Sequence, residues 1–133
     1  MKEMHEDAQR LMTHFFPGPL TLIMKKSDQV SSLVTAGQNT VGIRMPNHPV
    51  ALELIKKIGK PMVAPSANLS GKPSGTTALD VYEDFQGKIP FIIEGKTSEV
   101  GIESTIIDTT REPFVMLRPG SITKEMIEKV LKK

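Results

Sequence analysis

The sequence predicts an α/β domain in which helices are layered on a mixed sheet. Short aliphatic and β-branched runs alternate with stretches whose apolar side chains recur at helical spacing, and proline or glycine marks many of the junctions. The alternation is imperfect in the second half, where three strand candidates come without a clear helix between them.

Residues 3–15 form the first predicted helix, with Met4, Ala8, Leu11, Met12 and Phe15 along one side. Phe16-Pro17-Gly18-Pro19 stops it, because proline lacks the helical donor and glycine permits a sharp turn. Leu20–Met24 is the first strand, ended by Lys25-Lys26-Ser27-Asp28, and Thr40–Met45 is the second, bounded by Pro46. Asn47 is the expected N-cap of a helix through about Lys57. Val50, Ala51, Leu54, Ile55 and Ile58 mark its apolar side, and Gly59 supplies the stop. Pro61–Pro65 is expected as a short buried strand running into a loop. Thr76 or Thr77 caps the next helix, which carries Ala78, Val81, Tyr82 and Phe85. Strands are then expected at Ile89–Glu94, Ser104–Asp108 and Pro113–Leu117. Thr123 caps a last helix with Met126, Ile127, Val130 and Leu131. The chain opens on a helix, whereas an α/β domain usually opens on a strand.

The 133 residues, 38% of them hydrophobic, suffice for one core, and one domain is expected over 1–133. Cysteine is absent, which excludes disulfides, thiolate metal sites and cysteine nucleophiles together. No apolar run approaches the roughly 18 residues of a membrane-spanning helix, and the charged opening has no resemblance to a signal peptide. The expected location is cytoplasmic. Seventeen Lys and Arg against fifteen Asp and Glu leave +2, with the charges interspersed. That balance does not by itself point to nucleic acid, where a concentrated basic face is expected.

Residues 65–77 are the most informative segment. Five of these thirteen residues carry a hydroxyl (Ser66, Ser70, Ser74, Thr76 and Thr77), beside Asn68, Lys72, two glycines and two prolines. Such a loop between a strand and a helix N-terminus suits an anionic ligand, phosphate above all. As composition alone it also suits a plain connection. It is not a Walker A loop: Pro73 follows Gly71-Lys72, and Ser66 stands where the first glycine is required.

Arg44 falls in an apolar strand candidate, where a guanidinium is costly to bury unless it grips a carboxylate or phosphate; the alternative is a solvent-facing position. Thr40, four residues earlier, would share its face. Arg118 has a similar setting in Phe-Val-Met-Leu-Arg-Pro-Gly. Other chemistries are poorly supported. His5, His14 and His48 are scattered, no Gly-x-Ser-x-Gly elbow exists, and Glu103 and Asp108 fall on opposite strand faces.

Five segments occur in order: Phe16-Pro-Gly-Pro-Leu-Thr21, Thr40-Val-Gly-Ile-Arg-Met-Pro46, Ala64-Pro-Ser-Ala-Asn-Leu-Ser-Gly71, Ser104-Thr-Ile-Ile-Asp108 and Leu117-Arg-Pro-Gly120. Together they resemble the YrdC-like threonylcarbamoyl-AMP synthases, over nearly the whole chain from about Leu11. The resemblance implies a twisted mixed parallel and antiparallel sheet flanked by helices, around a concave positive cavity. It implies a nucleotidyltransferase that condenses L-threonine, bicarbonate and ATP, with Mg²⁺, into threonylcarbamoyl-AMP and pyrophosphate. Partner proteins then pass the threonylcarbamoyl group to an adenosine of tRNA.

By the same resemblance Arg44, Ser66 and Ser104 contact threonine or carboxy-threonine, and Thr40, Asn68, Thr76 and Arg118 contact ATP. No residue is an obvious general base, and the scattered histidines and absent cysteines leave none assigned to a metal. The family's N-terminal segment, with a Thr-rich Tyr-Gly-Leu motif and a Lys/Arg-Pro-rich motif, does not precede Met1. The Gly-x-Glu-Ser-Thr pattern at 101–105 accompanies a C-terminal extra domain in full-length relatives, and the chain stops at Lys133. The expectation is therefore a truncated domain that lacks full synthase activity alone and exposes apolar surface. The alternative is a non-catalytic fragment of the same fold that binds a nucleotide, tRNA or double-stranded RNA.

Overall fold

The computed structural model describes residues 5–64, 77–90, 92–93 and 104–132. The chain divides into two compact units, one of Met1–Gly59 with Glu103–Lys133 and the other of Lys60–Ile102.

In the first unit, helix α1 spans Glu6–Phe15 and buries Ala8, Leu11 and Phe15, the i, i+3, i+7 stripe of an amphipathic helix. His5 caps it: the ring Nδ1 accepts from the Asp7 N–H at 3.0 Å, while Nε2 lies 2.7 Å from Glu112. Glu6 and Asp7 sit at its positive end. The turn at Gly18 is too tight for a side chain, since a Cβ there would stand 2.3 Å from the Phe15 carbonyl oxygen.

Strand β1, Leu20–Lys25, is central, and β2, Thr40–Ile43, lies antiparallel to it with Leu22 opposite Ile43 and Lys25 opposite Thr40. On the other side β3, Thr105–Asp108, runs parallel to β1 with Thr21 opposite Ile106. Strand β4, Val115–Arg118, closes the order β2-β1-β3-β4 antiparallel to β3. The sheet is therefore mixed, as the imperfect alternation implies.

Helix α2, Pro49–Ile58, ends at Gly59 in the left-handed region (φ 71°), which glycine adopts without steric cost. Helix α4, Lys124–Leu131, follows its Thr123 cap and buries Ile127 and Leu131. Leu20, Leu22, Met24 and Ile107 form the sheet's contribution to the core, against Ala8, Leu11 and Phe15 of α1 and Ile127 and Leu131 of α4. Thr105 is fully buried on this side: its hydroxyl donates to the Ile122 carbonyl at 2.7 Å and accepts from the Ile122 N–H at 3.0 Å. That pair fastens the β4–α4 connection beneath β3. The opposite sheet face carries Thr21, Ile23 and Lys25 by strand alternation.

In the second unit, α3 spans Ala78–Phe85 with a reciprocal capping box between Thr77 and Asp80. Thr77 is thus the cap of the two candidates.

Several expectations are corrected. Strand β2 ends at Ile43, which leaves Arg44 just outside the ladder and exposed. The ladder of β3 begins at Thr105, so Ser104 precedes it, and β4 is shifted to take in Arg118. His48, not Asn47, caps α2, its Nδ1 accepting from the Ala51 N–H. Residues 61–64 are irregular and exposed rather than a buried strand, and residues 89, 90, 92 and 93 are likewise outside any strand. Apolar runs of four or five residues become strands only where a neighbour supplies ladder partners. Pro65, Phe91 and Glu94 lie outside the described residues. The apolar stripe of α2 forms as predicted, yet Val50, Leu54 and Ile58 are exposed and none of the helix's residues is buried.

Candidate functional site

Three polar side chains meet on the sheet face opposite α1 and α4. Thr21 is the second residue of β1; Ser104 immediately precedes β3; Arg118 ends β4. The Thr21 and Ser104 hydroxyl oxygens are 3.1 Å apart. Arg118 donates from Nε and Nη2 to the Ser104 carbonyl at 3.0 and 2.8 Å, and again from Nη2 to the Ser104 hydroxyl at 3.0 Å. Ser104 is buried, whereas Thr21 and Arg118 are half-buried.

Local structure explains each position. A regular antiparallel pairing that sets Ile107 opposite Met116 would set Ile106 opposite Leu117. A bulge instead sets Ile106 opposite Arg118 and skips Leu117. Met116 packs against the core, so an unbulged β4 would turn residue 118 toward the core as well. The extra residue re-aims the guanidinium at Ser104. Thr21 is aimed by its other neighbour: a Cβ at Gly42 would stand 3.3 Å from the Thr21 methyl, which therefore occupies the side of β2 while the hydroxyl faces Ser104.

The remaining predicted residues separate. Arg44 follows Ile43, the partner of Leu22, so it lies at the same sheet end as Thr21, Ser104 and Arg118. Thr40 pairs with Lys25 at the far end, about 13 Å along the strands from the level of Thr21 at 3.3 Å per residue. Ser66, Asn68 and Thr76 lie outside the described residues. Thr21 was part of a recognised segment but carried no predicted role; its signal is a hydroxyl on the non-core parity of an otherwise aliphatic strand.

Two other polar groups have structural work. The Asp108 carboxylate, buried at the end of β3, accepts from the N–H and hydroxyl of Thr110 and pairs with Arg111 at 3.2 Å, closing the β3–β4 turn. His14 packs edge-on against Phe15. No three His, Cys, Asp or Glu side chains gather at metal-binding distance among the described residues. No described helix is long and apolar enough to cross a membrane. A guanidinium beside two fixed hydroxyls has the donor set for a carboxylate or phosphate oxygen.

This mixed sheet, with α1 and α4 packed on one face and a cationic hydroxyl cluster on the other, defines an α/β domain suited to anionic ligands. The family model of the Sua5/YciO/YrdC group, described as telomere recombination, matches residues 1–120. The threonylcarbamoyl-AMP synthase of Pyrococcus abyssi is 52% identical over 130 residues, covering 98% of this chain and 38% of the relative. That of Bacillus subtilis is 53% identical over 127 residues, covering 95% and 37%. The crystal structure of P. abyssi Sua5 complexed with L-threonine superposes with a TM-score of 0.92 at 52% identity, again over 98% of this chain and 38% of that one. E. coli YciO superposes with a TM-score of 0.79 at 28% identity, over 89% and 58%. The chain belongs to the Sua5/YciO/YrdC family. It spans less than two-fifths of the length of these two synthases.

Proposed function

We propose that this chain supplies part of the substrate site of a threonylcarbamoyl-AMP synthase, which makes threonylcarbamoyl-adenylate for tRNA modification. The observation that carries it is the Thr21–Ser104–Arg118 cluster with Arg44 at the same sheet end. The names of the relatives and the threonine complex of one of them support the substrate class.

The amine of L-threonine and bicarbonate give a carbamate with loss of water. A carbamate oxygen then attacks the α-phosphorus of ATP, and pyrophosphate leaves. Arg44, Ser66 and Ser104 are assigned to threonine or carboxy-threonine; Thr40, Asn68, Thr76 and Arg118 are assigned to ATP. None of these groups has to remove a proton: catalysis rests on orientation and on positive charge beside developing negative charge. The ATP taken as substrate would carry Mg²⁺, whose chemistry would be to offset charge on the leaving pyrophosphate. The described hydroxyl and guanidinium donors suit anionic oxygens rather than a bare cation, which fits nucleotide-borne metal. The product passes to downstream proteins that modify tRNA in the cytoplasm.

The test is a thermal-shift titration of the chain with Mg-ATP and L-threonine, separately and together, against GTP and L-serine. Ligand at 100 times its dissociation constant stabilises by about 2.7 kcal/mol, several degrees for a domain of this size. Stabilisation selective for ATP and threonine is expected. Equal shifts with the controls, or none at millimolar ligand, overturn the assignment to this chain.

A further inference from the structure

Ser104 meets its surroundings through one proton and two lone pairs. Arg118 can only donate, so the 3.0 Å contact from Nη2 takes one lone pair. The Thr21 hydroxyl, 3.1 Å away, takes one of the two positions left. If Thr21 donates, both lone pairs of Ser104 are engaged and its proton is left for a third group. If Ser104 donates to Thr21 instead, it has only a lone pair to offer. The identity of the ligand atom that Ser104 can meet therefore depends on Thr21.

We infer that Thr21 is a positioning residue that fixes the Ser104 hydroxyl as a hydrogen-bond donor toward the carboxylate of the amino-acid substrate. This rests on the functional proposal above. Either hydroxyl can donate across the 3.1 Å contact, and the charge of the ligand favours the direction. A hydroxyl that receives two hydrogen bonds, one from a guanidinium, is polarised into a stronger donor, the character an anionic oxygen selects. Thr21 is also held to one orientation: its methyl fills the space left by Gly42, with Ile23 as the other neighbour of that gap, and its hydroxyl turns to Ser104. A β-branched side chain with both γ-atoms committed has little rotamer freedom. The oxygen of Ser104 is thus set before a ligand arrives, its carbonyl clamped by Arg118 and its hydroxyl by both neighbours.

The experiment compares Thr21→Val, which keeps the shape and removes the hydroxyl, with Thr21→Ser, which keeps the hydroxyl. Dissociation constants are measured by calorimetry for L-threonine, L-threoninamide and Mg-ATP. Thr21→Val is expected to weaken L-threonine about tenfold, leave Mg-ATP within twofold, and shrink the preference for L-threonine over its amide by the same tenfold. Thr21→Ser is expected to restore most of that preference. Unchanged discrimination between acid and amide in Thr21→Val overturns the inference while leaving the functional proposal intact. An equal loss for all three ligands, with a lowered melting temperature, shows a purely structural role and also overturns it. A wild-type chain that binds no threonine overturns the functional proposal, and this inference with it.

Discussion

Arg118 grips Ser104 twice, at its carbonyl through Nε and Nη2 and at its hydroxyl through Nη2, so one guanidinium fixes both the backbone and the side chain of the same residue. The fork geometry needed for this belongs to arginine and not to lysine. Arg118→Lys keeps the charge and loses the paired donation to the carbonyl. Leaving a buried acceptor short of its partners costs about 1–3 kcal/mol. We expect chemical denaturation to show a loss in that range, together with weaker ATP and threonine binding. A variant as stable as wild type, with both affinities retained, would remove Arg118 from the site.

Arg44 makes the opposite case. It is exposed and outside the β2 ladder, so its removal should alter stability by no more than about 0.5 kcal/mol. If its charge meets the substrate, Arg44→Ala weakens threonine about tenfold or more, because a charge-assisted contact is lost. Unaltered threonine affinity by calorimetry would sink the assignment.

Thr105 separates folding from binding. Thr105→Val keeps the shape but strands the N–H and carbonyl of Ile122, both now bonded to the Thr105 hydroxyl. We expect a loss of about 2–3 kcal/mol in urea unfolding. The ratio of threonine to serine affinity should not change, since Thr105 faces the helices and not the site.

Helices α1 and α2 of the first unit answer differently to truncation. Leu11 of α1 is fully buried, and Leu11→Ala is expected to cost about 2–5 kcal/mol. Leu54 of α2 is 38% exposed, and Leu54→Ala should cost less than about 1 kcal/mol. Comparable losses in a denaturation series would mean that α2 is covered in solution.

Much of the fold was legible because it is locally encoded. The apolar spacing of α1, α2 and α4, the caps at Thr123 and at Thr77 (one of two candidates), the stops at Phe16–Pro19 and Gly59 and the aliphatic run of β1 all depend on residues within a few positions of one another. The five segments also sufficed to name the family. The illegible parts were strand ends and isolated short runs. Whether runs such as 61–64 become strands depends on a partner that the run does not specify.

The sequence by itself determined the four helices and strand β1, the core stripe of α1 and α4, and the residue types available for anion chemistry. Tertiary structure alone decided which of those residues meet. Thr21 and Ser104 are 83 positions apart and touch because β1 and β3 pair in parallel in one register. Arg118 reaches them because a single extra residue in β4 shifts its register against β3. Thr40, on the same strand that leads to Arg44, is carried to the far end by the antiparallel sense of β2. Strand alternation is a local rule, whereas register, bulge and direction are set by what the neighbouring strands bury, and a sequence read along one line does not contain them.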